Sequence, residues 1–102
     1  MIIRLVKMTF HASNAQAFET LFRERHAKIA GFEGCTGVEL LKEMESNDTV
    51  VYFTRSRWID DEDLQRYRQS NLFKDTWEKT KALFAGKPEA WSTKIVASQF
   101  ED

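Results

Sequence analysis

Five side chains in this sequence have types and spacing that could do chemistry: Lys7, His26, Tyr67, Phe73 and Trp77. His26 follows Phe22 by four residues, at the edge of an apolar helical stripe. An imidazole there can act as a general base toward a hydroxylated substrate. It can equally sit at a helix–sheet border, bonded to the backbone or half exposed. Lys7 shares strand parity with Ile3 and Leu5, expected to face the helices. A positive charge on that face can hold a substrate oxyanion; alternatively the side chain buries only its stem and reaches the rim. Phe73 and Trp77 are four residues apart, on one face of an expected helix, and Tyr67 stands on the short amphipathic stretch before it. They make either a flat slot for a planar substrate or a packed core. Whether Trp77 lines a pocket or fills a core separates these outcomes.

The other reactive types carry less. Arg55 and Arg57 share a strand face, where an anion site or a cross-strand ion pair would fit. Cys35 has no basic residue beside it that would lower its pKa, and its being alone excludes an internal disulfide. His11 reads as solvated loop. No histidine, cysteine and carboxylate spacing suggests a metal site, and none is expected. There is no phosphate-cradling glycine loop and no nucleophile elbow.

What must position these residues is a single small domain spanning residues 1–102. With 15 basic and 16 acidic residues interspersed and a formal charge of −1, no basic face is available for nucleic acid. No apolar run is long enough for a membrane span. The start, Met1-Ile2-Ile3-Arg4-Leu5-Val6-Lys7, reads as a strand rather than a signal peptide, so a cytoplasmic location is expected.

The first strand, Ile2 to Phe10, is apolar on both faces. Ser13 with Gln16 forms a capping box for a helix with Phe18, Leu21, Phe22, Arg25 and Ile29 at helical spacing, stopped at Gly31. Gly31 and Gly34 bracket a loop in which either glycine can take positive φ. A second strand is expected over Val38–Met44 and a third over Thr49–Trp58, joined by Ser46-Asn47-Asp48. An odd hairpin loop would put Glu39 opposite Arg55, an even one Leu40. Asp60 to Asp63 suit a helix N-terminus, and Ser70 can cap a further helix with buried positions from Leu72 to Phe84, ended at Gly86. Trp91 to Phe100 completes the pattern as a last strand.

The order β-α-β-β-α-β is a ferredoxin-like α+β fold with an antiparallel sheet, its second helix broken near Ser70. If Ile3, Leu5 and Lys7 face the helices, the other face carries Val6, Met8 and Phe10 and needs a cover. A homodimer through that open face would supply it.

At this point the chain resembles the antibiotic-biosynthesis monooxygenase superfamily. The hydrophobic start Met1–Phe10, the loop Gly31-Phe32-Glu33-Gly34, the strand ending in Trp58 and the run Tyr67-Arg68-Gln69-Ser70-Asn71-Leu72-Phe73-Lys74 carry the resemblance. It implies a dimeric α+β barrel with a ligand pocket between helices and sheet in each subunit. It implies oxidation of a small aromatic phenol or quinol with dioxygen and no cofactor. In that reading His26 is the base, Lys7 the positive charge, and Tyr67, Phe73 and Trp77 the substrate wall. The superfamily's haem-degrading branch uses a strand-one asparagine, a second-helix tryptophan and a haem-ligating histidine. Lys7, Tyr67 and Trp77 stand in those places here. Trp77 cannot ligate iron, so haem cleavage is disfavoured.

The competing reading is a non-catalytic dimeric module that binds an apolar small molecule or is purely structural. An RNA-recognition module shares the element order. It would need a glycine-spaced aromatic strand, and Thr49-Val50-Val51-Tyr52-Phe53-Thr54 is not one.

Overall fold

A computed structural model describes residues 1–100 of the chain. Four strands, β1 (Ile2–His11), β2 (Cys35–Lys42), β3 (Thr49–Trp58) and β4 (Glu89–Lys94), form one antiparallel sheet in the order β2-β3-β1-β4. Helices α1 (Ala15–Ala30), α2 (Asp61–Arg68) and α3 (Asn71–Lys81) complete a ferredoxin-like α+β domain. The sheet is open, not closed into a barrel. Among the described residues no helix is long and apolar enough to cross a membrane.

The register overturns the expected facing of β1. Met8 and Phe10 pair with Tyr52 and Val50, and all four are buried with Ala15 and Phe18 of α1. Arg4, Val6, Met8 and Phe10 therefore face the helices. Ile3, Leu5 and Lys7 lie on the opposite, open face. Strand parity separates the two sets but does not say which is inside when both are apolar.

The hairpin takes the odd register. Glu39 stands opposite Arg55 and accepts a hydrogen bond from its guanidinium at 3.3 Å. The second strand begins at Cys35, earlier than expected, through an irregularity between Cys35 and Gly37. Strand β4 stops at Lys94 instead of running to Phe100, because Lys94 is paired with Ile2 at the very start of β1. Beyond that point no partner strand remains.

The expected Ser13 capping box does not form. A short 3-10 turn, Ala12–Asn14, precedes α1, and no side chain caps the helix. Asn14 instead donates from Nδ2 to the carbonyl of Leu83 at 3.3 Å, tying the start of α1 to the segment after α3. Asp60 and Ser70 do cap, accepting from the backbone amides of Asp63 and Phe73. Helix α3 ends at Lys81, before Gly86, as tight turns take over and Phe84 bridges to Phe10. Of the glycines, Gly34 alone adopts positive φ, at 86°.

Candidate functional site in the aromatic space between helices and sheet

Strand β3 shows how a cavity arises from sequence. Its helix-facing residues read Val50, Tyr52, Thr54, Ser56, Trp58: large, then two small, then large. Tyr52 anchors one cluster with Phe10 and Phe18, whose rings stack with centroids 4.2 Å apart. Trp58, fully buried, anchors a second with Phe32 and Tyr67. The short side chains of Thr54 and Ser56 cannot fill the space between. A cavity of about 270 Å³ remains. Arg4, Val6 and Met8 of β1 share its floor. Phe22, Leu64, Tyr67, Phe73 and Trp77 are among its helical walls.

The wall is a continuous chain of rings. Trp58 and Tyr67 stack with centroids 5.0 Å apart. Tyr67 meets Phe73 edge-on at 5.3 Å, and Phe73 stacks on Trp77 at 5.9 Å. Trp77 then meets Phe84 edge-on at 5.6 Å. Such pairs hold each other's orientation beyond what area burial supplies. Trp77 lines the cavity and does not fill it.

The polar groups on this wall are few. Ser56 Oγ accepts from the Trp58 indole at 2.9 Å, and Thr80 donates to the Thr76 carbonyl at 2.7 Å. Neither the Tyr67 hydroxyl nor the Trp77 indole N–H has a protein partner among the described residues, so both can serve a ligand. Burial, helped by the nearby Cys35, pushes the Tyr67 phenol up to about 12, which keeps it a neutral donor at physiological pH. Burial also raises the Cys35 thiol, the opposite of what a nucleophile needs.

Two guanidiniums also line the cavity, those of Arg4 and Arg68. Arg4 is half-buried and donates to Ser92 Oγ at 3.0 Å; Arg68 is exposed, which puts the pair on the rim. On the far side of the roof, Arg25 of α1 donates to Asp75 Oδ2 at 2.7 Å and to Thr76 Oγ1 at 3.0 Å, fastening α1 to α3.

Of the five residues singled out in the sequence, the structure brings together Tyr67, Phe73 and Trp77. It does not bring His26 or Lys7 to them. His26 stacks on Phe22 at 5.8 Å and lines a separate, more open groove with Glu19, Arg23, Leu40, Lys42 and Tyr52. Lys7 lies on the open face, opposite Phe53 in one ladder and Glu89 in the other. Neither the proposed base nor the proposed charge is therefore in the cavity. Arg4 and Arg68 were missed. The signal for Arg4 was its parity with Val6 and Met8, once that set is known to face the helices. Among the described residues no group of histidine, cysteine and carboxylate side chains is placed to hold a metal ion.

An open four-stranded sheet with helices on one face and an aromatic cavity between them defines the protein as a ferredoxin-like α+β domain. The sequence profile described as antibiotic biosynthesis monooxygenase matches residues 1–79, and the chain belongs to that family. No curated protein matches it in sequence. Among solved structures, it is similar to a mutant of SnoaB, a cofactor-independent oxygenase from Streptomyces nogalater. Identity is 21%, the match covers 98% of this chain and 97% of that one, and the TM-score is 0.82. A conserved protein from Methanosarcina mazei Go1 is similar at 20% identity, 92% of each chain and a TM-score of 0.82. A structure described as an antibiotic biosynthesis monooxygenase matches at 14% identity over 95% of this chain and 100% of that one, TM-score 0.82. At these identities the likeness establishes the fold.

Proposed function

We propose that this chain is a monooxygenase that oxidises a small aromatic phenol or quinol with dioxygen and without a cofactor. The observation that carries the reading is the aromatic cavity itself, about 270 Å³, walled by Tyr67, Phe73 and Trp77 and floored by Thr54 and Ser56. An apolar cavity of about 150 Å³ accommodates benzene, so this one suits a ring system of about two fused rings. A phenol with an open para position would become a quinone. One atom of dioxygen enters the ring, the other leaves as water, and the substrate supplies all the electrons.

The chain's residues contribute in definite ways. The ring wall holds the substrate flat and excludes water. The neutral Tyr67 hydroxyl donates to the oxygen where negative charge grows, a contribution that is large in a dry site. His26 lies in a separate groove, and the proposed chemistry does not call on it. The same cavity disfavours haem cleavage on its donor set, since its lining contains no histidine.

The test is oxygen uptake with a panel of naphthols and hydroquinones. Uptake above the uncatalysed rate, abolished in Thr54→Leu, supports the reading. Rates no faster than buffer across the panel sink it and leave a non-catalytic binding module.

We also propose that the open sheet face pairs with a second copy of the chain. It carries Leu5, Leu41, Phe53 and Trp91, of which Leu41 and Trp91 are exposed, together with the mutually compensating charges of Glu39 and Arg55. An apolar centre with paired charges suits an isologous contact.

A further inference from the structure

The rim of the cavity has a charge that the oxidation of a neutral phenol leaves without a purpose. Arg4 and Arg68 both line it, one from the middle of the sheet and one from the last turn of α2. An arginine on the helix-facing side of a central strand, between Ile2 and Val6, costs solvation unless its charge is used. Among the described residues neither guanidinium is ion-paired; Arg4 has the hydroxyl of Ser92 and Arg68 the side-chain carbonyl of Gln65. The acids nearby do not cancel the pair. Asp61 raises the pKa of Arg4 without an ion pair, and Glu89, which also lines the cavity, stands opposite Lys7 in the ladder and is ion-paired with neither guanidinium among the described residues. Burial and the proximity of Arg68 both lower the pKa of Arg4, so the two positive charges feel each other.

We infer that the substrate carries a carboxylate, held by Arg4 and Arg68 at the rim while its ring system lies against Phe73 and Trp77. The ligand class is a hydroxylated aromatic carboxylate of about two fused rings. A guanidinium fork matches the two oxygens of a carboxylate better than the single oxygen of a phenolate. Ser92 fixes the Arg4 side chain in this arrangement and is a positioning residue. The assignment deepens the proposed oxidation site and rests on that reading for the identity of the reacting ring.

Calorimetric titration with 2-naphthoate and 2-naphthamide tests it, since the two differ in charge and little in shape. Naphthoate is expected to bind at least about tenfold more tightly, with the preference shrinking as salt is raised. Arg4→Gln and Arg68→Gln should each reduce the preference at least about threefold, weakening naphthoate far more than naphthamide. Arg68 is exposed, so Arg68→Gln retains the fold even if Arg4→Gln does not, and circular dichroism checks both. Equal affinities, no binding of either compound, or a preference that survives both variants overturns the assignment. Selective carboxylate binding without oxygen consumption on hydroxynaphthoates removes the oxidation reading and leaves the anion site. Neutral naphthols oxidised as fast as hydroxynaphthoates, with KM unchanged in Arg68→Gln, do the reverse.

Discussion

Phe73 and Trp77 lie one helical turn apart on α3 with their rings nearly parallel, centroids 5.9 Å and planes 11° apart. The pair is the wall of the cavity, and its partners on either side, Tyr67 and Phe84, both meet it edge-on. Because the stack is supported from its ends, it can stand beside open space without collapsing into it.

That support bears on Trp77→Ala. Trp77 borders a cavity and is partly exposed, so its truncation should cost about 1–2 kcal/mol, well below the ~3–5 kcal/mol of a filled core aromatic. Trp58→Ala, at a fully buried site, should reach that upper range. Urea denaturation of the two variants makes the comparison. Equal losses would mean that Trp77 fills rather than lines.

Thr54→Leu should fill the floor of the cavity. The substitution puts apolar volume into apolar space, so stability should change by less than about 1 kcal/mol while binding of naphthalene-sized ligands is lost. Thermal unfolding with and without 2-naphthoate reads both effects. A variant that still gains stability from the ligand would contradict the location.

Tyr67 ties pH to stability. Its proton is held more tightly in the folded chain, with a pKa of about 12, than in an unfolded chain, where it is about 10. The stabilisation is therefore complete below about pH 10 and lost as pH rises through about 12, a total of at most about 3 kcal/mol. Tyr67→Phe should flatten this alkaline slope. Since the hydroxyl has no protein partner, the same variant should keep its stability at neutral pH and lose about 10²-fold in turnover if the hydroxyl serves an oxyanion. Unfolding curves between pH 9 and pH 12, about the tyrosine range, together with initial rates, separate the two contributions.

Gly34→Ala should be among the costliest single changes. Gly34 sits at φ +86°, and an added Cβ would clash with Cβ and Cγ of Asp63, a buried side chain paired with Arg66. Strain and clash together should remove at least about 2 kcal/mol. Adjusting the loop instead would strain the hydrogen bond from the Ile59 amide to the Gly34 carbonyl, 2.8 Å long. A melting temperature within a degree of the parent would refute the argument.

The open face makes a last prediction. Phe53→Arg should put an unpaired charge at the centre of an apolar contact, and sedimentation should then find monomer where the parent chain sediments as a dimer. A parent chain that is monomeric at micromolar concentration would remove the second-copy proposal itself.

The elements and their order could be read locally. Apolar periodicity marks β3 and α1, Asp60 and Ser70 mark the starts of α2 and α3, and each such signal acts between residues a few positions apart. Ser13 shows where local reading stops: its capping box was available, but a 3-10 turn formed there and Asn14 was committed to the Leu83 carbonyl, a partner no local pattern contains.

By itself, then, the sequence determined the ferredoxin-like order, the starts of α2 and α3 and the aromatic composition of the site, because these follow from short-range spacing. Only the tertiary structure decided which face of β1 is inside. That choice turns on whether Met8 and Phe10 find Tyr52 and Phe18, or Ile3 and Leu5 find them instead, and both sets are apolar enough. Its consequence for function is direct. The same half-turn of parity that puts Lys7 outside puts Arg4 inside, and it converts two small residues of β3, Thr54 and Ser56, from inconspicuous positions into the floor of a cavity.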